Sequence, residues 1–307
     1  MRVGLDVGGT KTDAVVVDAH DAVIGSVRLP TLWGPDGVAR TVVDAVAALG
    51  ARAGVDPGSF ASVGIGMPGQ VRPSTMRVSH ALNLGIDRMD VRETLAPLLG
   101  LPVRVENDVK AAAVGAAVLQ GRDSIAYLNL GTGVAAGIVV GGRVWRGRRG
   151  AAGEVGHISI DPHGPECRCG GRGCIESLAG GASIAARWER PGEYPVRDVF
   201  DAADGGDVLA IELRAGLASA VAAAVRILVL TADVDAVVLG GGLTALADRM
   251  LPEVRAALSR GAAGSPFLRS LALADRVEVL PPGSPAAALG AAIVGGTRDT
   301  EEVVVHG

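Results

Sequence analysis

Aromatic side chains are nearly missing from this chain, which has three Trp, two Tyr and three Phe among its 307 residues. Apolar residues nevertheless make up 49% of it. The core must therefore be filled by Val, Leu, Ile and Ala, with backbones at close separations. A dominant charge of one sign is missing as well. A net charge of −4 leaves no electrostatic footprint for nucleic acid or an anionic membrane surface. Nor is there an uninterrupted apolar run of spanning length. The uncharged stretch from Ser124 to Gly142 is broken by glycines and by Asn129 and Thr132, which argues against a transmembrane helix. The opening Met1-Arg2-Val3-Gly4-Leu5-Asp6 lacks the apolar core of a secretory leader. These absences point to a soluble, cytoplasmic protein, and the length suffices for two domains with a core each.

Cysteine occurs three times, and all three fall in one polar, glycine-rich stretch. With His157 they give the spacing H-x9-C-x-C-x4-C over Cys167, Cys169 and Cys174. This supplies the Cys₃His set of a closed structural zinc site. Thiolate ligands of this kind suit a reducing compartment. Three unrelated thiols behaving as small hydrophobes are the alternative. Apolar burial does not account for cysteines flanked by Arg168, Arg172 and Glu176, however. Four protein ligands leave no open coordination place, so a zinc ion here holds shape. What it shapes are Glu154, Glu176 and the second nitrogen of His157.

The chain opens with short apolar runs separated by Gly8-Gly9-Thr10-Lys11 and by a polar turn at His20-Asp21, which predicts three strands joined by tight turns. Backbone N–H groups of such a turn can cradle phosphate, and Asp6 beside it could hold Mg²⁺ through water. A Gly-Gly hairpin is also ordinary turn chemistry. The pattern then recurs. A shift of 123 residues superposes Gly8 on Gly131 and Asp6 on Asn129, and Gly131-Thr132-Gly133 again separates two strands. One repeat at this distance predicts a duplicated domain, whose two turns could grip a polyphosphate from both sides.

Between the repeats, helices are predicted over 37–50, 91–99 and 109–119, with strands near 62–67 and 102–105. The last strand delivers Glu106-Asn107-Asp108 at its carboxyl end, where ligands bind in α/β folds. Asn107 or Asp108 could equally be an N-cap. A cap needs one polar residue, and three stand together here. Further on, 180–207 reads as a connecting region with a helix over 182–188, followed by helices over 208–230 and 245–258. His20, His80, His163 and His306 read as solvated or locally bonded, and Thr297 to Gly307 as a charged, frayed end.

Taken together, Asp6-Val7-Gly8-Gly9-Thr10, Glu106-Asn107-Asp108, Gly131-Thr132-Gly133, Gly153-Glu154-Val155-Gly156-His157 and the cysteine loop resemble the ROK family of bacterial sugar kinases and sugar-responsive repressors. The resemblance spans almost the whole chain. It implies an α/β fold of duplicated actin-like (ribonuclease-H-like) domains with an interdomain cleft. The smaller N-terminal domain would comprise 1–108 and a returning helix in 286–307, and the larger one 109–285. It implies Asn83, Asn107, Asp108, Glu154, His157 and Glu176 as sugar-contacting residues, with Asp108 as the base. Asp6, Gly8, Gly9, Thr10, Lys11, Gly131, Thr132, Gly133, Gly240, Gly241 and Gly242 are implied on the nucleotide side. ATP with Mg²⁺, structural zinc and a homodimer complete the expectation.

The expected reaction is ATP-dependent phosphorylation of a hexose hydroxyl, glucose or a close analogue. The alternatives are a kinase for an N-acetylated or amino hexose, or a non-catalytic sugar-responsive regulator of the same family. A regulator would ordinarily carry a helix-turn-helix domain ahead of Asp6. Two departures from the family pattern bear on specificity. Ile86 stands where Trp is frequent, removing an aromatic near the sugar, and Lys110 stands where Asn is frequent, adding a cation near the base. Ala135 and Ala136, where glycines are common, change little.

Overall fold

The computed structural model describes residues 1–296. It divides into two compact units: the first is 1–122, 146–150 and the C-terminal segment from Pro285, and the second is 123–145 and 151–284. The expected charged end from Thr297 lies outside the described residues.

The first unit opens with β1 (Arg2–Val7), β2 (Lys11–Val17), β3 (Val23–Pro30) and α1 (Gly34–Ala53). It continues with β4 (Val63–Met67), β5 (Gln70–Arg72), β6 (Arg77–Ala81), β7 (Ile86–Asp90), α2 (Val91–Leu99), β8 (Val103–Asn107) and α3 (Asp108–Gln120). Its main sheet runs β3-β2-β1-β4-β8, with β5-β6-β7 forming a separate antiparallel sheet. The antiparallel meander β1–β3 is joined by β4 and β8 in parallel. Alternation along β1 sends Val3, Leu5 and Val7 into a core with Val38, Val42 and Leu49 of α1.

The second unit holds β9 (Ile125–Leu130), β10 (Val134–Val140), β11 (Arg143–Val144), α4 (Ile175–Ala179), α5 (Gly181–Trp188), α6 (Pro195–Asp204) and α7 (Val208–Ala232). After these come β12 (Ala236–Gly240), α8 (Ala247–Ala262), α9 (Pro266–Ser270) and β13 (Val277–Val279). The sheet order β11-β10-β9-β12-β13 repeats that of the first unit, again an antiparallel meander with two parallel strands added. The duplication expected from the Gly turns is therefore present at the level of topology. By length and composition α7 could cross a bilayer. Its Leu213, Leu217, Val221, Val225 and Leu228 instead pack in the unit's core with Ile184, Phe200 and Val254.

The chain ends its described part in α10 (Ala286–Gly296), which returns to the first unit. This helix is built almost wholly of small residues, so it approaches its neighbours at backbone distance. A methyl group at Gly64 of β4 would fall inside contact distance of the Ala291 carbonyl, and one at Gly290 would strike the Ala111 carbonyl of α3. The scarcity of large side chains noted in the sequence is realised here as helix-on-sheet and helix-on-helix packing through glycine. The same contact keeps α3 in the first unit, so the division falls between Arg122 and Asp123 and not at 108/109. The region 180–207 also holds more structure than a connection. Val196, Val199, Phe200 and Ala203 of α6 bury one helical stripe, a spacing legible in the sequence beneath the flanking Pro191-Gly192.

Candidate active site

In the first unit the register of the parallel strands aligns Asp6 of β1 with Gly66 of β4, and Gly66 with Glu106 of β8. The start of α3 packs on Gly66, whose Cβ position lies 3.6 Å from the Asp108 Cα and 3.5 Å from the Ala111 Cβ, ordinary contact distances. Asp6 and Asp108 thus flank Gly66, close enough to interact electrostatically. Burial, then the charge of Asp108, then that of Asp13, push the Asp6 carboxyl up from 3.8 to about 7, with Lys11 opposing. The Gly8–Lys11 turn is closed by the Gly8 N–H donating to the Lys11 carbonyl at 3.0 Å. Gly9 lies against Asn83, its Cβ position 2.8 Å from the Asn83 carbonyl oxygen and 3.5 Å from Nδ2. Asn83 is exposed on a single 3₁₀ turn, Leu82–Leu84.

Asn107 caps α3. Its Oδ1 accepts from the Val109 and Lys110 N–H groups, both at 3.1 Å. Its Nδ2 donates to the Gly69 carbonyl at 3.3 Å and to Asp108 Oδ1 at 3.0 Å. Two acceptor bonds and two donor bonds are the full capacity of a side-chain amide. Asp108 Oδ1 also accepts from Val109 N at 2.9 Å. The cap and the site are therefore one feature, with Asn107 spent on holding the helix start and the Asp108 carboxylate. Buried Glu106 accepts from Asn107 N at 2.9 Å and from Arg146 Nε at 2.6 Å.

In the second unit, Gly153 and Gly156 lie flat on β10, where side chains would strike the Ala136 and Val134 carbonyls. That packing explains the glycine spacing of the Gly153–His157 stretch. It leaves Glu154 and His157 exposed at either end of a 3₁₀ turn. Glu176 of α4 accepts from Val134 N at 2.9 Å and presses on Gly133. The carbonyls of Gly131 and Thr132 accept from the Gly181 and Ala182 N–H groups at the start of α5, at 2.9 and 3.0 Å. Gly240 pairs with Asn129 across β12 and β9. Gly241, at φ 88°, has its Cβ position 2.6 Å from Asn129 Oδ1. The Gly131–Gly133 and Gly240–Gly242 turns are thus neighbours at the carboxyl end of one sheet.

The cysteine loop gathers its ligands. Cys167 Sγ lies 3.9 Å from His157 Nδ1, and Cys169 Sγ 3.8 Å from Cys174 Sγ. The ligand atoms of His157, Cys167 and Cys169 all fall within 4.8 Å of one another. Cys174 joins this group of three through Cys169. A tetrahedral site with zinc–sulfur bonds of about 2.3 Å has edges of about 3.8 Å, which the Cys169–Cys174 and His157–Cys167 separations match. All three thiols are free. A Gly171 N–H bond, followed by Cys167, draws Cys169 down to about 7, while burial pushes Cys174 up to about 12. With Nδ1 turned to the thiols, His157 keeps Nε2 for another partner.

Two expectations change. Ile86 is fully buried in the core of the first unit with Leu84 and Met89, so it acts on packing and presents nothing to a ligand. Asn107, expected to touch sugar, has its amide fully engaged. Three residues escaped the sequence reading: Arg146, which holds Glu106, Gly69, which holds Asn107, and Gly66, the spacer between Asp6 and Asp108. Only their distant partners mark them, apart from the Met67-Pro68-Gly69 turn signal.

A twofold repeat of a five-stranded mixed sheet, each with a glycine turn in its meander and its polar residues at the strands' carboxyl ends, defines the actin-like, ribonuclease-H-like class. The ROK family matches residues 2–296, and the chain belongs to that family. It is 32% identical over 286 residues to a glucokinase of Streptomyces coelicolor, covering 86% of this chain and 89% of the relative. It is 34% identical over 249 residues to an N-acetylmannosamine kinase of Yersinia pseudotuberculosis, covering 78% and 82%. A ROK family glucokinase from Streptomyces griseus, solved in complex with glucose and AMPPNP, superposes with a TM-score of 0.75 at 29% identity, covering 96% of this chain and 98% of that one.

Proposed function

We propose that this chain is an ATP-dependent sugar kinase of the glucokinase type, transferring the terminal phosphoryl group of ATP to a hexose hydroxyl. The observation that carries the reading is the Asp108 carboxylate, fixed through Oδ1 by Asn107 and Val109 N and set across Gly66 from Asp6. Phosphoryl transfer passes through a loose transition state, so positioning and charge neutralisation outweigh nucleophile strength. Asp108 takes the proton of the attacking hydroxyl, for which a carboxylate of ordinary pKa suffices at hydrogen-bond distance. Asp6 would hold, through water, the Mg²⁺ that accompanies ATP, and the charge of that ion would favour the ionised carboxylate. The Gly8–Lys11 turn in the first unit and the Gly131–Gly133 and Gly240–Gly242 turns in the second serve the nucleotide.

Sugar hydroxyls are read by Asn83 in the first unit and by Glu154, His157 Nε2 and Glu176 in the second. Asn107 acts behind Asp108. His157 Nδ1, Cys167, Cys169 and Cys174 would hold a structural zinc, which supplies fixed loop geometry and no Lewis-acid chemistry, since the set is closed. A cytoplasmic location and a homodimer, the expectations drawn from the family resemblance, are part of the same proposal.

A second reading, a kinase for N-acetylated or amino hexoses, is favoured by the similarity to the N-acetylmannosamine kinase. One experiment decides both: coupled ADP release with hexoses, amino sugars and N-acetyl sugars. Turnover is expected, and the best kcat/KM names the class. Folded, zinc-loaded protein that turned over none of them would sink the proposal.

A further inference from the structure

Glu106 is a charge the proposed chemistry does not use. It is 2% exposed, and a carboxylate so buried stays ionised only with strong partners. Its Oε2 accepts from Arg146 Nε at 2.6 Å, and its Oε1 from Asn107 N at 2.9 Å. From there Asn107 Nδ2 donates to Asp108 Oδ1 at 3.0 Å. Three hydrogen bonds therefore run from the guanidinium to the carboxylate of the base.

Arg146 reaches this place by an unusual path of the chain. Residues 146–150 belong to the first unit, although Trp145 and Ala151 on either side belong to the second. Gly150 seats the segment on the β5 hairpin, its Cβ position 3.4 Å from the Val71 carbonyl oxygen. Gly69, which leads into the same hairpin, takes the other hydrogen of the Asn107 amide. The residue before the base is thus gripped from two sides. One grip is a neutral carbonyl, and the other is a charge-assisted chain that begins at Arg146.

We infer that Arg146 is a positioning residue for Asp108, acting through Glu106 and Asn107. A salt bridge that served stability alone could end on any buried acid. This acid spends its second oxygen on the peptide N–H of Asn107. Without the guanidinium, the buried Glu106 carboxylate has lost its charged partner and turns toward water. That movement breaks its bond to Asn107 N and frees the amide that orients Asp108. The inference rests on Asp108 as the base.

The test compares the parent with Arg146→Ala, Arg146→Lys and the double variant Glu106→Gln/Arg146→Met. It uses steady-state kinetics on the best sugar, sugar affinity by calorimetry, and circular dichroism. For Arg146→Ala, kcat should fall about 10- to 100-fold, as for misplaced groups remote from the chemistry, with sugar affinity nearly kept. Arg146→Lys keeps the charge without the planar fork and should recover part of the loss. The double variant buries no charge, and its Gln carbonyl still accepts from Asn107 N, so it should recover most of kcat. The inference fails if Arg146→Ala turns over like an active parent, if its sugar affinity falls as far as its kcat, or if the folded double variant is no better than Arg146→Ala. A parent inactive on every sugar would overturn the kinase reading, and this inference with it.

Discussion

Asp6 and Asp108 flank Gly66, and the charge of Asp108 joins burial in making Asp6 hard to ionise. The pair is set by strand register, because Asp6, Gly66 and Glu106 lie in one row and Asp108 begins the helix two residues later. Nearness of this kind costs the folded protein stability wherever both carboxylates are ionised.

The cost has a sign and a pH window. Folding raises the Asp6 pKa from 3.8 to about 7, so the folded state holds the proton more tightly than the unfolded state. The corresponding stability is fully present below 3.8 and is lost as pH rises through about 7. Asp6→Asn, which cannot ionise, should melt above the parent at pH 8 without Mg²⁺, and near the parent at pH 4. Thermal melts across that range check it. A gap between variant and parent that did not widen with pH would contradict the assignment.

Asp108→Asn should lose on the order of 10²-fold or more of kcat, the share of a positioned general base. Sugar affinity should be mostly kept, since the amide replaces the carboxylate in size and still accepts from Val109 N. Single-turnover kinetics alongside calorimetric sugar binding separate the two effects. Turnover close to that of the parent would reduce Asp108 to a helix-start residue.

Metal analysis should find about one zinc per chain, as a single four-ligand set requires. Zinc removal, or Cys169→Ser, should loosen the loop, misplace Glu154 and Glu176, and weaken sugar binding before nucleotide binding. Titrations of both ligands on the same chelated sample give the order. Well-folded protein free of zinc, with sugar affinity intact, would refute the shaping role.

The packing of α10 makes a prediction independent of chemistry. Gly64→Ala places a methyl against the Ala291 carbonyl, where no flexible side chain can yield. A loss of about 1–3 kcal/mol is expected, the range for overpacked cores, read from the urea midpoint. Gly142→Ala, where the structure leaves open space but φ is 72°, should cost less. The reverse order would mean that α10 does not rest on β4 as described.

Features written in consecutive residues were legible without a fold. The Gly turns at Gly8 and Gly131 announced two copies of one meander, and the cysteine spacing announced a cluster in which His157, Cys167 and Cys169 lie together with Cys174 beside Cys169. Helices α2, α3 and α7 declared themselves through apolar runs between polar or glycine ends. Such signals are local: turn conformation, ligand reach along a loop, and helical periodicity act over a few residues, so spacing alone carries them.

Tertiary structure decided what depends on partners far apart in the chain. The sheet β5-β6-β7 depends on pairing between short strands of mixed polarity, which leave little periodic trace. Ile86 faces the core because β7 is paired with β6, and nothing in its neighbours sets that direction. Asn107 has no amide capacity left because Gly69, thirty-eight positions earlier, takes one of its hydrogens. Arg146 meets Glu106 forty positions away. Residue types define which bonds are possible, but closing loops of that length is a property of the whole fold, and only there did the surroundings of Asp108 become fixed.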